Sequence, residues 1–139
     1  MQAQDPVIDQ VRRELRAGQK ATHWMWFVFP QLHALGRSPT AKHFGIASLA
    51  EAQAYMAHPV LGPRLVECVE LVMAVKGRSA HQIFGSPDDL KFRSSMTLFS
   101  AARPDQAVFA EAIERYFGGT PDSLTHDALS AIDHNTTVS

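Results

Sequence analysis

The run Thr22-His23-Trp24-Met25-Trp26-Phe27-Val28-Phe29-Pro30-Gln31-Leu32 constrains this chain more than any other stretch. It gathers both tryptophans and two of the eight phenylalanines within eleven residues. A fully buried aromatic side chain removes about 150–250 Å² from water, so the run has to face an interior on most sides. Continuous apolarity leaves it ambiguous between buried helix and buried strand. With no partner strand evident elsewhere, a short buried helix from Ala21 to Phe29 is expected, limited by Pro30, which disfavours helix at the residue before it. His23 and Gln31 are the polar groups of the run and need partners if buried.

The chain around it reads as one domain, 1–139, ordered from about residue 5 to 132, with a frayed tail over His134–Ser139. Hydrophobic residues make up 45% and charged residues 19%, a globular rather than a disordered balance. A formal net charge of −1 lacks the basic stripe that a phosphate backbone requires, so no nucleic-acid partner is expected. The single cysteine, Cys68, excludes an internal disulfide framework and fits a reducing cytoplasm. The N-terminus carries no signal-peptide pattern and no window has a membrane-spanning apolar length, so no membrane partner is expected either.

Helical periodicity recurs along the chain. Asp5-Pro6 predicts a capped start for a helix carrying Val7, Ile8, Val11 and Leu15 on one side, stopped by Gly18. Gly36 to Pro39 reads as loop, with Ser38-Pro39 opening a short helix that closes near Gly45. Ser48 and Glu51 form a capping box for a helix through Ala52, Tyr55 and Met56. From Val60 to Val75 only a narrow polar band (Arg64, Glu67, Glu70) interrupts the apolar surface, the pattern of a central helix. Gly62-Pro63 is expected to kink or delay its first turn, and Lys76-Gly77 to end it. Ser79 is expected to cap a short turn ended by Gly85. Ser86-Pro87-Asp88-Asp89 then opens a helix bearing Leu90, Phe92, Met96, Leu98 and Phe99. A further helix carries Val108, Phe109, Ala112, Ile113 and Phe117, and Thr120-Pro121-Asp122 starts the last. No hairpin signal occurs. The expected fold class is all-α, a compact single-domain multihelical bundle with one or two buried central helices.

Three stretches taken together, His23 to Gln31, Ala54 to Leu65, and Asp89-Leu90-Lys91 with Ser94-Ser95-Met96-Thr97-Leu98-Phe99, resemble the bacterial family known as domain of unknown function 1810. The resemblance runs from the first helix to about Leu129. It implies a compact multihelical fold with buried central helices and no established activity. The label calpastatin, sometimes attached to the family, has no support here, because calpastatin segments are disordered.

Lys91, Ser94 and Ser95 share one helical face at i, i+3 and i+4, placing an ammonium beside two hydroxyls. A desolvated lysine there would activate a serine as nucleophile, or the group would bind a phosphate or carboxylate. The structural alternative pairs Lys91 with Asp88 and bonds the serines to carbonyls one turn back. In the aromatic run, Trp24 and Trp26 offer a stacking platform with His23 and Gln31 reading a ligand's edges, or they simply form core. Arg64 pairs with Glu67 or clamps an anion. His58, before Pro59, caps or packs, and Cys68 reads as inert core. His23, His33 and His43 recur every ten residues, a spacing that puts no two ligands on one helical face. No metal or cofactor is expected.

Two functions follow as expectations, with catalysis left open in the first. One is the binding of an anionic small molecule, a nucleotide-like one included, in a cleft between the Trp-rich segment and the Lys91 helix. Its candidate residues are His23, Trp24, Trp26, Gln31, Arg64, Lys91, Ser94 and Ser95. The other is a non-enzymatic interaction or regulatory module with a structural aromatic core and an exposed apolar patch at Met25, Tyr55 or Phe44. A monomer or weak homodimer is expected in either case.

Overall fold

A computed structural model describes residues 3–35 and 39–138, leaving the side chains of 34, 40–42 and 131–138 aside. Helix α1 spans Ile8–Ala17, α2 Met25–Val28, α3 Pro39–Phe44, α4 Leu49–Ala57, α5 Leu61–Ala74, α6 Ala80–Phe84, α7 Asp88–Ala102, α8 Ala107–Phe117 and α9 Ser123–Val138, with a 3-10 turn at His33–Leu35. Among the described residues the only non-helical pairing is a parallel bridge between Leu32 and Ile46. The fold is all-α, a single multihelical domain. The expected loop and cap at Gly36 to Ser38 lie outside the described residues, as does Ser139 of the expected tail.

Helix α1 starts later than Asp5-Pro6 implied. Residues 3–7 form a turn, with Val7 and Ile8 N–H both bonded to the Gln4 carbonyl, and Val7 occupies the cap position without a side-chain cap. The Asp5 carboxylate is drawn away by Arg64, at 2.7 Å. The stop at Gly18 is as expected: φ is +74°, and the Gln19 N–H returns to the Glu14 carbonyl.

The aromatic helix is shorter than expected, only Met25–Val28. Its upstream residues wrap a carboxylate instead. Glu14, 5% exposed on the inner face of α1, accepts the N–H groups of Ala21 (2.7 Å) and Thr22 (3.0 Å) and the Trp24 indole N–H (2.9 Å) on Oε1. Its Oε2 accepts the Thr22 hydroxyl (2.6 Å) and the Gln10 amide (2.9 Å). Those bonds outcompete an extra helical turn. Burial works to raise this carboxyl's pKa, but the donors from Thr22, Ala21 and Gln10 outweigh it and hold the group at about 2, against 4.5 ordinarily.

Helix α5 is central as expected, with Leu65, Cys68, Val69 and Val72 buried between α1, α4 and α8. It begins without delay at Leu61, because Gly62 admits the Met56 carbonyl: a Cβ there would stand 2.1 Å from that oxygen. His58 does cap, its Nδ1 accepting the Val60 and Leu61 N–H groups at 3.1 and 3.2 Å. The helix stops at Ala74, ahead of Lys76-Gly77. Its last carbonyls are taken by α8: Tyr116 Oη donates to Val72 O, and Arg115 donates to Met73 O and Val75 O.

A second helix, α7, is buried more deeply still. Phe92, Ser94 to Phe99 and Ala102 are all buried, and α4, α6, α8 and α9 pack on it. Phe92 stacks on Phe84 at 4.7 Å and meets Phe29 edge-on at 5.1 Å, so the aromatic run and α7 share one core. Asp88, not Ser86, opens this helix, with Pro87 at the cap position. Ser48 caps α4 through the Glu51 N–H, and Ser79 with Gln82 closes a complete capping box on α6. Asp122 caps α9 through Thr125, and its own N–H donates to Thr97.

Candidate functional site

The Trp-rich segment has two accessible sides, and only part of the expected residue set meets on either. On the first side Lys91 Nζ stands 5.3 Å from the Trp26 ring centroid, and these two with Gln31, Met25 and Phe29 line a cavity. That cavity is about 10 Å³, room for a single water. Lys91 pairs with Asp88 at 3.4 Å, and Asp88 also holds Lys20 at 2.9 Å. The Ser94 hydroxyl donates to the Leu90 carbonyl at 3.1 Å, one turn back. Ser95 is fully buried, and its hydroxyl has no hydrogen-bond partner among the described residues.

His23 is exposed, at the entry to the run. Trp24 is 1% exposed, its indole N–H committed to Glu14 and its ring flanked by the Lys20 ammonium at 5.2 Å, so no ligand reaches its face. Met25 is equally buried, while Tyr55 and Phe44 are half-buried. The large apolar side chains that do stand exposed among the described residues are Leu90 and Leu124.

The second side holds a cavity of about 480 Å³ between Phe27, Pro30, Phe44, Leu61 and the N-terminal turn, with Gln4 and Tyr55 supplying polar atoms. Its size lies within the usual range of small-molecule sites. Phe27 and Phe44 meet edge-on at 5.4 Å to form one wall. The Gln4 side chain, 3% exposed, spends both amide hydrogens, one on the Phe27 carbonyl (2.7 Å) and one on the Tyr55 oxygen (3.0 Å). Among the described residues the Tyr55 hydroxyl then has only the Phe27 carbonyl to donate to, at a long 3.4 Å. Burial pushes this phenol up to about 12, partly offset by the Gln4 bond, so it keeps its proton at neutral pH. Arg64 stands at the edge, reaching Gln4 Oε1 at 3.4 Å and Asp5 at 2.7 Å. Its expected partner Glu67 is taken by Arg12 at 3.0 Å.

Gln4 and Glu14 had no place among the expected site or core residues. For Glu14 a signal existed: it continues the stripe Val7, Val11, Gly18 at helical spacing, so an acid falls on an otherwise apolar face. For Gln4 none existed, because its role depends on two segments far along the chain. Burial pushes the Cys68 thiol up to about 12, which leaves it an unreactive thiol at neutral pH. Among the described residues no three His, Cys, Asp or Glu side chains cluster for a metal, and no helix is long and apolar enough to cross a membrane.

Comparison with known proteins gives fold and family. The crystal structure of the conserved hypothetical protein Rv1873 from Mycobacterium tuberculosis superposes with a TM-score of 0.91 at 55% identity, over 92% of this chain and 91% of that one. No curated protein matches the chain. The family model described as protein of unknown function DUF1810 matches residues 1–129, nearly the full length, and the chain belongs to that family.

Proposed function

We propose that this protein binds a small molecule with a flat apolar body and an anionic or acceptor group, seated in the Phe27–Tyr55 cavity. The observation that carries this reading is the under-used hydroxyl of Tyr55, a residue that lines a mostly apolar cavity of about 480 Å³ and has its protein acceptor 3.4 Å away. A buried donor of this kind gains from an acceptor that the ligand brings. Phe27, Phe44 and Leu61 flank the ring of such a ligand. Arg64 supplies the charge, because its present partner Asp5 has a side chain 59% exposed, and an exposed ion pair is readily exchanged. The anionic character expected from the sequence is thus retained, but at Arg64 rather than Lys91, whose side of the segment has room for one water. Binding rather than catalysis is the reading, since the Ser94 hydroxyl and the Lys91 ammonium are both engaged inside the protein.

A thermal-shift panel of aromatic carboxylates, nucleotides and the matched neutral amides tests this. A ligand at a hundred times its dissociation constant adds about 2.7 kcal/mol. Tyr55→Phe and Arg64→Gln are expected to weaken carboxylate binding about tenfold each, the worth of one good hydrogen bond, and Lys91→Ala to leave it unchanged. Loss of binding in Lys91→Ala with Tyr55→Phe unaffected, or no stabilising compound in the panel, would overturn the reading.

A further inference from the structure

Away from that cavity, helix α5 presents a groove that the small-molecule site does not use. Two cavities of about 500 and 400 Å³ adjoin along it and share Val66, Glu70 and Gln106. One wall is a single face of α5, running from Gly62 to Ala74, and the other is the α7–α8 connection with the first turn of α8. At 1.5 Å per residue that face is about 18 Å long, the length of a three-turn helix.

Its surface has two characters. Val66, Met73 and Val108 are half-buried and form an apolar floor. The charges along the rim do not cancel. Glu67 is neutralised by Arg12, at 3.0 Å, and Arg103 by Asp105, at 2.7 Å. Glu70 and Glu111 are exposed and have no ion pair or hydrogen bond among the described residues. An apolar floor bordered by two uncompensated carboxylates is the complement of an amphipathic basic helix.

We propose that this groove docks a helical segment of a partner protein. The segment lays aliphatic side chains on Val66, Met73 and Val108 and sets Lys or Arg against Glu70 and Glu111.

The probe is a fluorescein-labelled 14-residue helix of Leu and Lys in amphipathic register, with a twin carrying Glu for every Lys, read by fluorescence anisotropy. Wild type is expected to bind the Lys peptide at least tenfold more tightly than the Glu peptide, and less tightly as salt rises. Glu70→Lys/Glu111→Lys is expected to abolish that binding. Glu51→Lys/Asp127→Lys, which changes net charge equally outside the groove, is expected to keep it. All four positions are exposed, and unchanged far-UV circular dichroism certifies the fold. Equal loss in both double variants would mean charge alone attracts the peptide and would overturn the proposal, as would absence of binding to wild type.

Discussion

Replacing Glu14 by glutamine isolates what one buried charge does for this fold. The substitution preserves volume and leaves an oxygen to face the Ala21, Thr22 and Trp24 N–H groups that Oε1 now accepts. The second oxygen becomes an amide, to which the Gln10 side chain and the Thr22 hydroxyl adjust by rotation. What is lost is chiefly the charge. The carboxyl titrates at about 2 in the folded protein against 4.5 ordinarily, and about 2.5 units at 1.36 kcal/mol each is about 3 kcal/mol. Because the folded pKa is depressed, that stability is fully present above pH 4.5 and is lost as pH falls toward 2. Urea unfolding of wild type and Glu14→Gln, followed by circular dichroism at several values between pH 7 and pH 2, measures it directly. The difference is expected to be about 3 kcal/mol at pH 7 and to shrink toward zero at the acid end, because every other carboxylate is common to both proteins. With an unfolding entropy of ~2.1 cal/mol/K per residue, 139 residues convert 3 kcal/mol into about 10 °C of Tm at neutral pH. A difference that stays constant with pH, or falls below about 1 kcal/mol at pH 7, would refute the assignment of the charge as the stabilising element.

Gly62→Ala is expected to destabilise by about 2–3 kcal/mol, since its Cβ would lie 2.1 Å from the Met56 carbonyl and α4 would have to move; chemical denaturation checks this, and a neutral effect would show that the α4–α5 approach is loose. Burial raises both phenols, Tyr55 to about 12, so at pH 11 Tyr55 is expected to stay largely protonated in the folded protein and to ionise on unfolding, read as a rise in phenolate absorbance when urea is added. The corresponding stability is kept up to pH 10, the ordinary phenol value, and declines between 10 and 12, which alkaline urea titrations read directly.

The two proposed surfaces use different chemistry on one scaffold. The Phe27–Tyr55 cavity is lined in part by the N-terminal turn and offers the Tyr55 hydroxyl with Arg64 beyond it, suiting a small ligand. The α5–α8 groove is long, open and acidic, suiting a protein segment. Helix α5 borders both, through Leu61 at one edge and Val66, Glu70 and Met73 along another face.

What could be read from the sequence was what acts over three or four residues. The apolar stripes of α1, α5, α7 and α8, the glycine stop at Gly18, and the caps at Ser48 and Ser79 are local signals, and together they specify an all-α chain. The pairing of charged and polar side chains was not readable in that way. Asp5 reads locally as a cap and goes to Arg64; Glu67 reads as the partner of Arg64 and goes to Arg12, 55 residues away. Only the packing of α1 on α5 makes those distances short, and a full charge takes the partner that completes its hydrogen bonds at least desolvation. The same holds for the candidate sites. Lys91 and Trp26 do meet, but whether their meeting leaves room for a ligand is a matter of volume, which no spacing of residues encodes. The cavity beside Tyr55 exists because Gln4, Phe27, Phe44 and Leu61 converge from separate segments, and convergence is what the tertiary structure alone decides.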